Sequence, residues 1–406
     1  MSASQVHTGV VILGGGVTGL WLLDDLRRRG IPALLIEAEA LGAGQTVAAQ
    51  GIIHGGLKYT LGGRLTDAAR SIRDMPGLWR RCLEGTEEPD LRATRRRADT
   101  CMIWRTRELS SRLGMIGARF GLRVAPRTIE REDRPRLLRS CPGAVAALDE
   151  QVIDPASMLG VLAARNGAGL VRADGPASIS VRCEPTLGVE VGCAGRLLEV
   201  RGVVLVLAAG AGNQGLRAQL GLDPGVMQRR PLHMTVVRQR KAGAEGVLQA
   251  INGHCIDGAR TRVTITSEVD EAGRVTWQVG GEVSEVGVAM QPEELVRHVR
   301  SELLACLPDL HFGSGQVEWS TYRVDRAEAR TADGRRPDVA SILEEGPVIT
   351  AWPTKMVLAP AVAAEIAARL PDLGDVEATA IPATWARPEV AAPPWREATW
   401  MADDSL

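Results

Sequence analysis

The chain has 406 residues, a formal net charge of −1 and 24% charged residues. That length can bury a large core and predicts two domains, while a near-neutral balance without a basic stripe of interleaved aromatics excludes nucleic acid as an expected partner. Seven cysteines without a CxxC pair predict reduced thiols, and no metal site is expected.

The first predicted element is a buried strand over Val10–Leu13, followed at once by Gly14, Gly16 and Gly19. A helix then follows. Leu20, Leu23 and Leu26 recur at helical spacing, Arg27, Arg28 and Arg29 fill the last turn, and Gly30 stops it. A second strand over Ala33–Ile36 ends on Glu37. GxGxxG alone is weak in a chain with 45 glycines, but strand, helix and acid in this order predict a dinucleotide site. There the helix N-terminus faces a pyrophosphate and the acid holds the adenosine ribose. An acid at this position argues against a 2′-phosphate, which leaves NAD or FAD.

Next comes the loop "ALGAGQTVAAQ" and the cluster His54-Gly55-Gly56-Leu57-Lys58-Tyr59. The Arg95-Arg96-Arg97 run that follows is read as a solvated face. Further on stand "EQVIDPASMLGVLAARNGAG", "GVVLVLAAGAGNQGL" and "GPVITAWPTKMVLAPAVAAEIAARL". The last reads as a strand over Val348–Ala351, a turn at Pro353, Thr354 and Lys355, and a helix over about 361–370. "RTRVTITSEV" and "RVTWQVGGEV" read as antiparallel strands, followed by a helix over about 292–307.

In this order the segments resemble the flavoprotein oxidoreductases of the D-amino-acid oxidase superfamily. The cluster around His54 is most similar to the glycerol-3-phosphate dehydrogenase and L-2-hydroxyglutarate oxidase branch, with Lys58 where that branch often has arginine. The resemblance covers nearly the whole chain and implies FAD. It implies an α/β fold: a Rossmann-like FAD-binding domain with an interleaved α+β substrate domain built on an antiparallel sheet. The FAD domain is expected over 1–85, 145–225 and 325–406, and the substrate domain over 86–144 and 226–324. Gly14, Gly16, Gly19, Glu37, Gly210, Gly212, Thr354 and Met356 are the expected cofactor contacts.

A flavin takes hydride at N5, so the protein supplies orientation, an anion grip and, for an alcohol, a base. His54, His233 and Lys355 are the expected catalytic groups; Lys58, Tyr59, Tyr322 and Arg323 are the expected substrate contacts, with Arg326 or Arg330 as substitutes for Arg323. The chain has only two tyrosines, and both fall in these segments. His7, His254, His298 and His311 sit in no motif. The expected activity is hydride transfer from a small anionic alcohol, a 2-hydroxy acid or polyol phosphate, to FAD. Oxidation of an amino acid or secondary amine, and a non-catalytic FAD-binding partner, are the alternatives. An electron acceptor (oxygen, quinone or carrier protein) completes the cycle. The sequence carries no signal-peptide pattern, and its strongest apolar run is too short to span a bilayer, so a cytoplasmic protein without a transmembrane segment is expected.

Overall fold

A computed structural model describes residues 4–55, 72, 74–105, 126–242, 247–257 and 260–403. Lys58 and Tyr59 lie outside the described residues.

The chain begins its nucleotide half with β1 (Val10–Leu13), α1 (Val17–Arg28) and β2 (Ala33–Glu37). After α2 (Pro155–Asn166) it adds β3 (Leu170–Arg172) and β4 (Val204–Leu207). The second half is built mainly from β5 (Met227–Gln239), β6 (Gly253–Asp257), β7 (Arg260–Val269), β8 (Val275–Gly280), α3 (Pro292–Cys306) and β9 (Val317–Ala329). The chain then returns with β10 (Ser341–Glu345), β11 (Val348–Trp352) and α4 (Ala359–Ala368).

Among the described residues the first half is a six-stranded sheet in the order β10-β11-β4-β1-β2-β3, with β11, β4, β1, β2 and β3 parallel to one another and β10 antiparallel to β11. Both faces are covered, which is why β1 reads as an unbroken apolar run. Val10 and Ile12 pack under α1 with Leu20, Leu23 and Leu26, and Val11 and Leu13 pack against Val189, Val191 and Val200 of a small four-stranded sheet. Asp24 and Asp25 are buried on α1. Arg28 of the same helix pairs with Asp24 at 2.7 Å, and Arg165 at 3.0 Å ties α1 to α2. Burial alone would raise the Asp24 carboxyl, but Asn166, Arg28 and Arg165 overcome it and hold it low.

The second half is a nine-stranded sheet among the described residues, with a central run β9-β5-β8-β7-β6. Its two faces differ. Val237, Val279 and Ile265 pack against Leu295, Val299 and Leu303 of α3. Leu232, Met234, Val236 and Tyr322 turn the other way, toward Ala48 and Trp395. The face carrying Tyr322 therefore meets the loop that leaves the nucleotide half.

Two sequence expectations, the solvated face at Arg97 and the domain bounds, differ from these elements. Arg97 is not on a solvated face: its side chain is 4% exposed and pairs with Asp154 and Glu268, because Asp154 caps α2 from beneath it. Strand β9 runs past Arg323 to Ala329, since β5 pairs with it along its whole length. Val145–Leu148 and the terminal Met401–Ala402 join the nine-stranded sheet rather than the nucleotide half.

Candidate active site

The glycine turn closes the nucleotide half by contact. Gly14 has φ +109°, and a Cβ there would lie 2.5 Å from the Ala209 backbone. A Cβ on Gly19 would lie 2.0 Å from the Gly14 carbonyl oxygen, so helix and turn touch directly. Gly16 differs. A Cβ there meets only Thr46 Oγ1, at 3.3 Å, so its lack of a side chain is not demanded by packing. Gly16 caps α1 without a side-chain bond, and no acid stands in the first turn, so the helix's positive end is not offset. The Glu37 carboxylate accepts from the Gly15 N–H at 2.6 Å and the Glu39 N–H at 2.9 Å. Burial nevertheless pushes this carboxyl above the usual carboxylate range.

Gly210 (φ +56°) faces Gln45 across the same end of the sheet, and Gly212 lies against Ala209. The small residues of the β4 motif, the loop after Glu37 and the glycine turn therefore converge.

From this loop the chain reaches His54 along a pinned path. Gln278 donates to the Ala48 carbonyl at 2.7 Å, as does the Tyr322 hydroxyl at 2.9 Å, and Gln50 donates to the Thr264 and Gln278 carbonyls. Ile53 N–H then bonds the Gln151 carbonyl at 2.8 Å, and Ile153 N–H bonds the Gly51 carbonyl at 2.9 Å. This stitching fixes His54 beside Glu150. His54 Nδ1 lies 3.4 Å from Glu150 Oε2, and the Gly55 N–H donates to Glu150 Oε1 at 2.6 Å. Near the same oxygen, His254 Nε2 lies at 3.9 Å, and its Nδ1 lies 2.9 Å from Thr264 Oγ1. One ligand-type atom from each of the three side chains lies within 4.8 Å of the others. Sequence reasoning missed Glu150 and His254. Glu150 lies in the turn between Val145–Leu148 and Val152–Ile153 and His254 on β6, both far from His54 along the chain, so no spacing announces them.

The remaining expected residues are placed apart from this group. His233 is 2% exposed, on the α3 side of β5, with Nδ1 3.1 Å from the Gly287 carbonyl; burial holds its imidazole below the ordinary histidine range. Arg323 pairs with His233 across the strands and donates to the Val288 and Met290 carbonyls at 2.9 and 3.1 Å. Tyr322 is a buried bolt between the halves, and burial raises its phenol. Three residues past Arg323, Arg326 points to the Tyr322 side. Burial first, then Arg336 and Arg230, hold its guanidinium below the usual arginine range. Lys355, 6% exposed, donates to the Asp338 carbonyl at 3.1 Å, and Thr354 (φ +63°) donates to the Val339 carbonyl at 3.0 Å. Met356 opens the short turn that leads into α4.

A largely parallel sheet with a glycine turn, wrapped onto a sheet that is antiparallel except where β6 pairs with Cys101–Arg105, with a histidine at the junction, defines a flavin-dependent oxidoreductase. The family profile for FAD dependent oxidoreductases (DAO) matches residues 9–369, and the chain belongs to that family. FAD is its cofactor. The chain is 38% identical over 403 residues to the "Probable FAD-dependent oxidoreductase PA4991" of Pseudomonas aeruginosa, covering 97% of this chain and 98% of that protein. The crystal structure of PA4991 superposes with a TM-score of 0.80 over 98% of this chain and 99% of that one. L-alpha-glycerophosphate oxidase from Mycoplasma pneumoniae, solved with FAD bound, shares the fold at 15% identity (TM-score 0.59; 96% and 99% covered). Glycine oxidase from Geobacillus kaustophilus does so at 17% (TM-score 0.61; 89% and 94% covered). No helix among the described residues is long and apolar enough to cross a membrane.

Proposed function

We propose that the chain oxidises a small anionic alcohol, a 2-hydroxy acid or polyol phosphate, with His54 as general base. The observation that carries this reading is His54 itself. It sits at the junction of the halves, 18% exposed, with a buried carboxylate 3.4 Å from one ring nitrogen. A carboxylate there orients the ring and stabilises the imidazolium formed when the other nitrogen takes a proton. His233 is turned to the Gly287 carbonyl on the opposite sheet face, so the base role rests on His54.

The residues fit FAD. Gly16 and the open end of α1 would receive the pyrophosphate, and Glu37, whose oxygens keep unused lone pairs, would receive the adenosine ribose. Gly14, Gly19, Gly210 and Gly212 keep the surrounding backbone close. Thr354 and Met356 flank Lys355 in the turn before α4, and the open helix end there is suited to negative charge on a reduced flavin. When bound, FAD accepts hydride at N5. The protein's own part is to hold the substrate anion, take the hydroxyl proton at His54 and keep Lys355 as a fixed cation in that turn. Arg326 pairs with Glu285 through one nitrogen at 3.3 Å and has further donors for the anion, whereas the donors of Arg323 already serve two carbonyls. An anion beside Arg326 would offset the crowding of guanidinium groups. Lys58 and Tyr59 remain proposed substrate contacts. The electrons then leave to an acceptor: oxygen, a quinone or a carrier protein.

Anaerobic mixing of the FAD-loaded protein with a panel of 2-hydroxy acids, glycerol 3-phosphate and amino acids tests the reading. Bleaching of the flavin by a hydroxy compound supports it, and bleaching by amines alone overturns it.

A further inference from the structure

His254 stands outside every sequence motif and has no part in hydride transfer, yet it is buried against the same carboxylate as His54. Both imidazoles address one oxygen: Glu150 Oε2 is 3.4 Å from His54 Nδ1 and 3.9 Å from His254 Nε2. The ring centroids are 5.5 Å apart. Exposure falls along the series, with side chains 18% exposed at His54, 5% at Glu150 and 3% at His254. The other carboxylate oxygen is anchored by Gly55, and Thr264 fixes the far nitrogen of His254. The neighbouring Asp149 is turned away and paired with Arg80.

We infer that His54, Glu150 and His254 form a charge-coupled triad, two imidazoles sharing one carboxylate, in which Glu150 and His254 are positioning residues for His54. This rests on His54 serving as the base. Glu150 holds the His54 proton on Nδ1, so Nε2 presents its lone pair to the substrate hydroxyl. In the oxidation the O–H bond breaks, and the proton bonds to His54 Nε2. The carbinol hydrogen leaves with its electron pair as hydride to FAD, and the former alcohol carbon becomes a carbonyl. The imidazolium so formed keeps its Nδ1 proton, and the Glu150 carboxylate 3.4 Å away offsets its charge. Two imidazoles on one carboxylate titrate as a pair, the second resisting the charge of the first.

Histidine side chains labelled with nitrogen-15 in the FAD-loaded protein report this directly, because six histidines give few resonances. Those of His54 and His254 are assigned from His54→Ala and His254→Ala. The wild type should show His54 with its proton on Nδ1. Glu150→Gln should move the titration midpoints of both rings down by about one pH unit, since an imidazolium loses its carboxylate. If Glu150→Gln does not retain FAD, His254→Ala carries the test. It leaves Glu150 to His54 alone and should move the His54 midpoint upward. Unmoved midpoints overturn the sharing while leaving the base role standing, because that role is judged by flavin reduction in His54→Ala. A stoichiometric metal ion found by elemental analysis and lost in His254→Ala would also overturn it, since the three side chains would then be ligands.

Discussion

Gly51→Ala should damage the site without touching any catalytic group. Gly51 has φ +75°, and a Cβ there would lie 2.0 Å from the Ile153 carbonyl oxygen, which is backbone and has little room to yield. The left-handed conformation costs an alanine about 1–2 kcal/mol. Separating the two segments also weakens the Ile53–Gln151 and Ile153–Gly51 hydrogen bonds, each contributing about 1 kcal/mol. The sum is about 3 kcal/mol. With roughly 2.1 cal/mol/K of unfolding entropy per residue, a two-state chain of this length loses roughly 3–4 °C in Tm. The larger effect is on position, because these two bonds set His54 against Glu150. A displacement near 1 Å reduces a positioned reaction on the order of 10²-fold. Differential scanning fluorimetry and anaerobic stopped-flow reduction read the two effects, with FAD content unchanged because the glycine turn lies elsewhere. A variant with wild-type Tm and wild-type reduction rate would refute the claim that this backbone pairing positions His54.

Gly16→Val should fold yet purify without yellow flavin, because its side chain meets only Thr46 in the protein but fills the proposed pyrophosphate approach; FAD at wild-type stoichiometry contradicts this. Burial alone would raise the Asp154 carboxyl, but Arg97, Arg95 and the Ser157 N–H hold it below the usual carboxylate range. A depressed folded-state value gives stability that is present above the unfolded carboxyl range and lost as pH falls through the folded one. Asp154→Asn should therefore lower Tm at neutral pH, and its difference from wild type should shrink as the solution is acidified. A constant difference in Tm across pH would show that the ion pairs are not its source.

Much of the nucleotide half is legible in the sequence because it rests on local signals. The run Val10–Leu13, the three glycines and the strand ending on Glu37 each follow from periodicity or turn chemistry within a short window. The Asp154-Pro155 pair likewise shows its cap, since Asp154 accepts from the Ser157 N–H. What the sequence could not show is which face of a long strand meets the cofactor half. Alternation places Tyr322 and Arg323 on opposite sides of β9, but only packing against Ala48 and α3 reveals which side is which. His233 and Arg323 share the α3 side for that reason. Arg97 was misread because its acids, Asp154 and Glu268, lie far along the chain. Glu150 and His254 were illegible for the same cause, each being brought to His54 by backbone pairing between distant segments.

The central claim is that His54 takes the substrate's hydroxyl proton as hydride reaches the flavin. Anaerobic stopped-flow reduction of wild type and His54→Ala, with the same hydroxy compound across pH, tests it most directly. The wild-type rate should fall as pH drops through the histidine's titration. The variant should keep FAD, reduce it on the order of 10²-fold more slowly, and lack that acid limb. A variant that retains both the full rate and the acid limb would contradict the account.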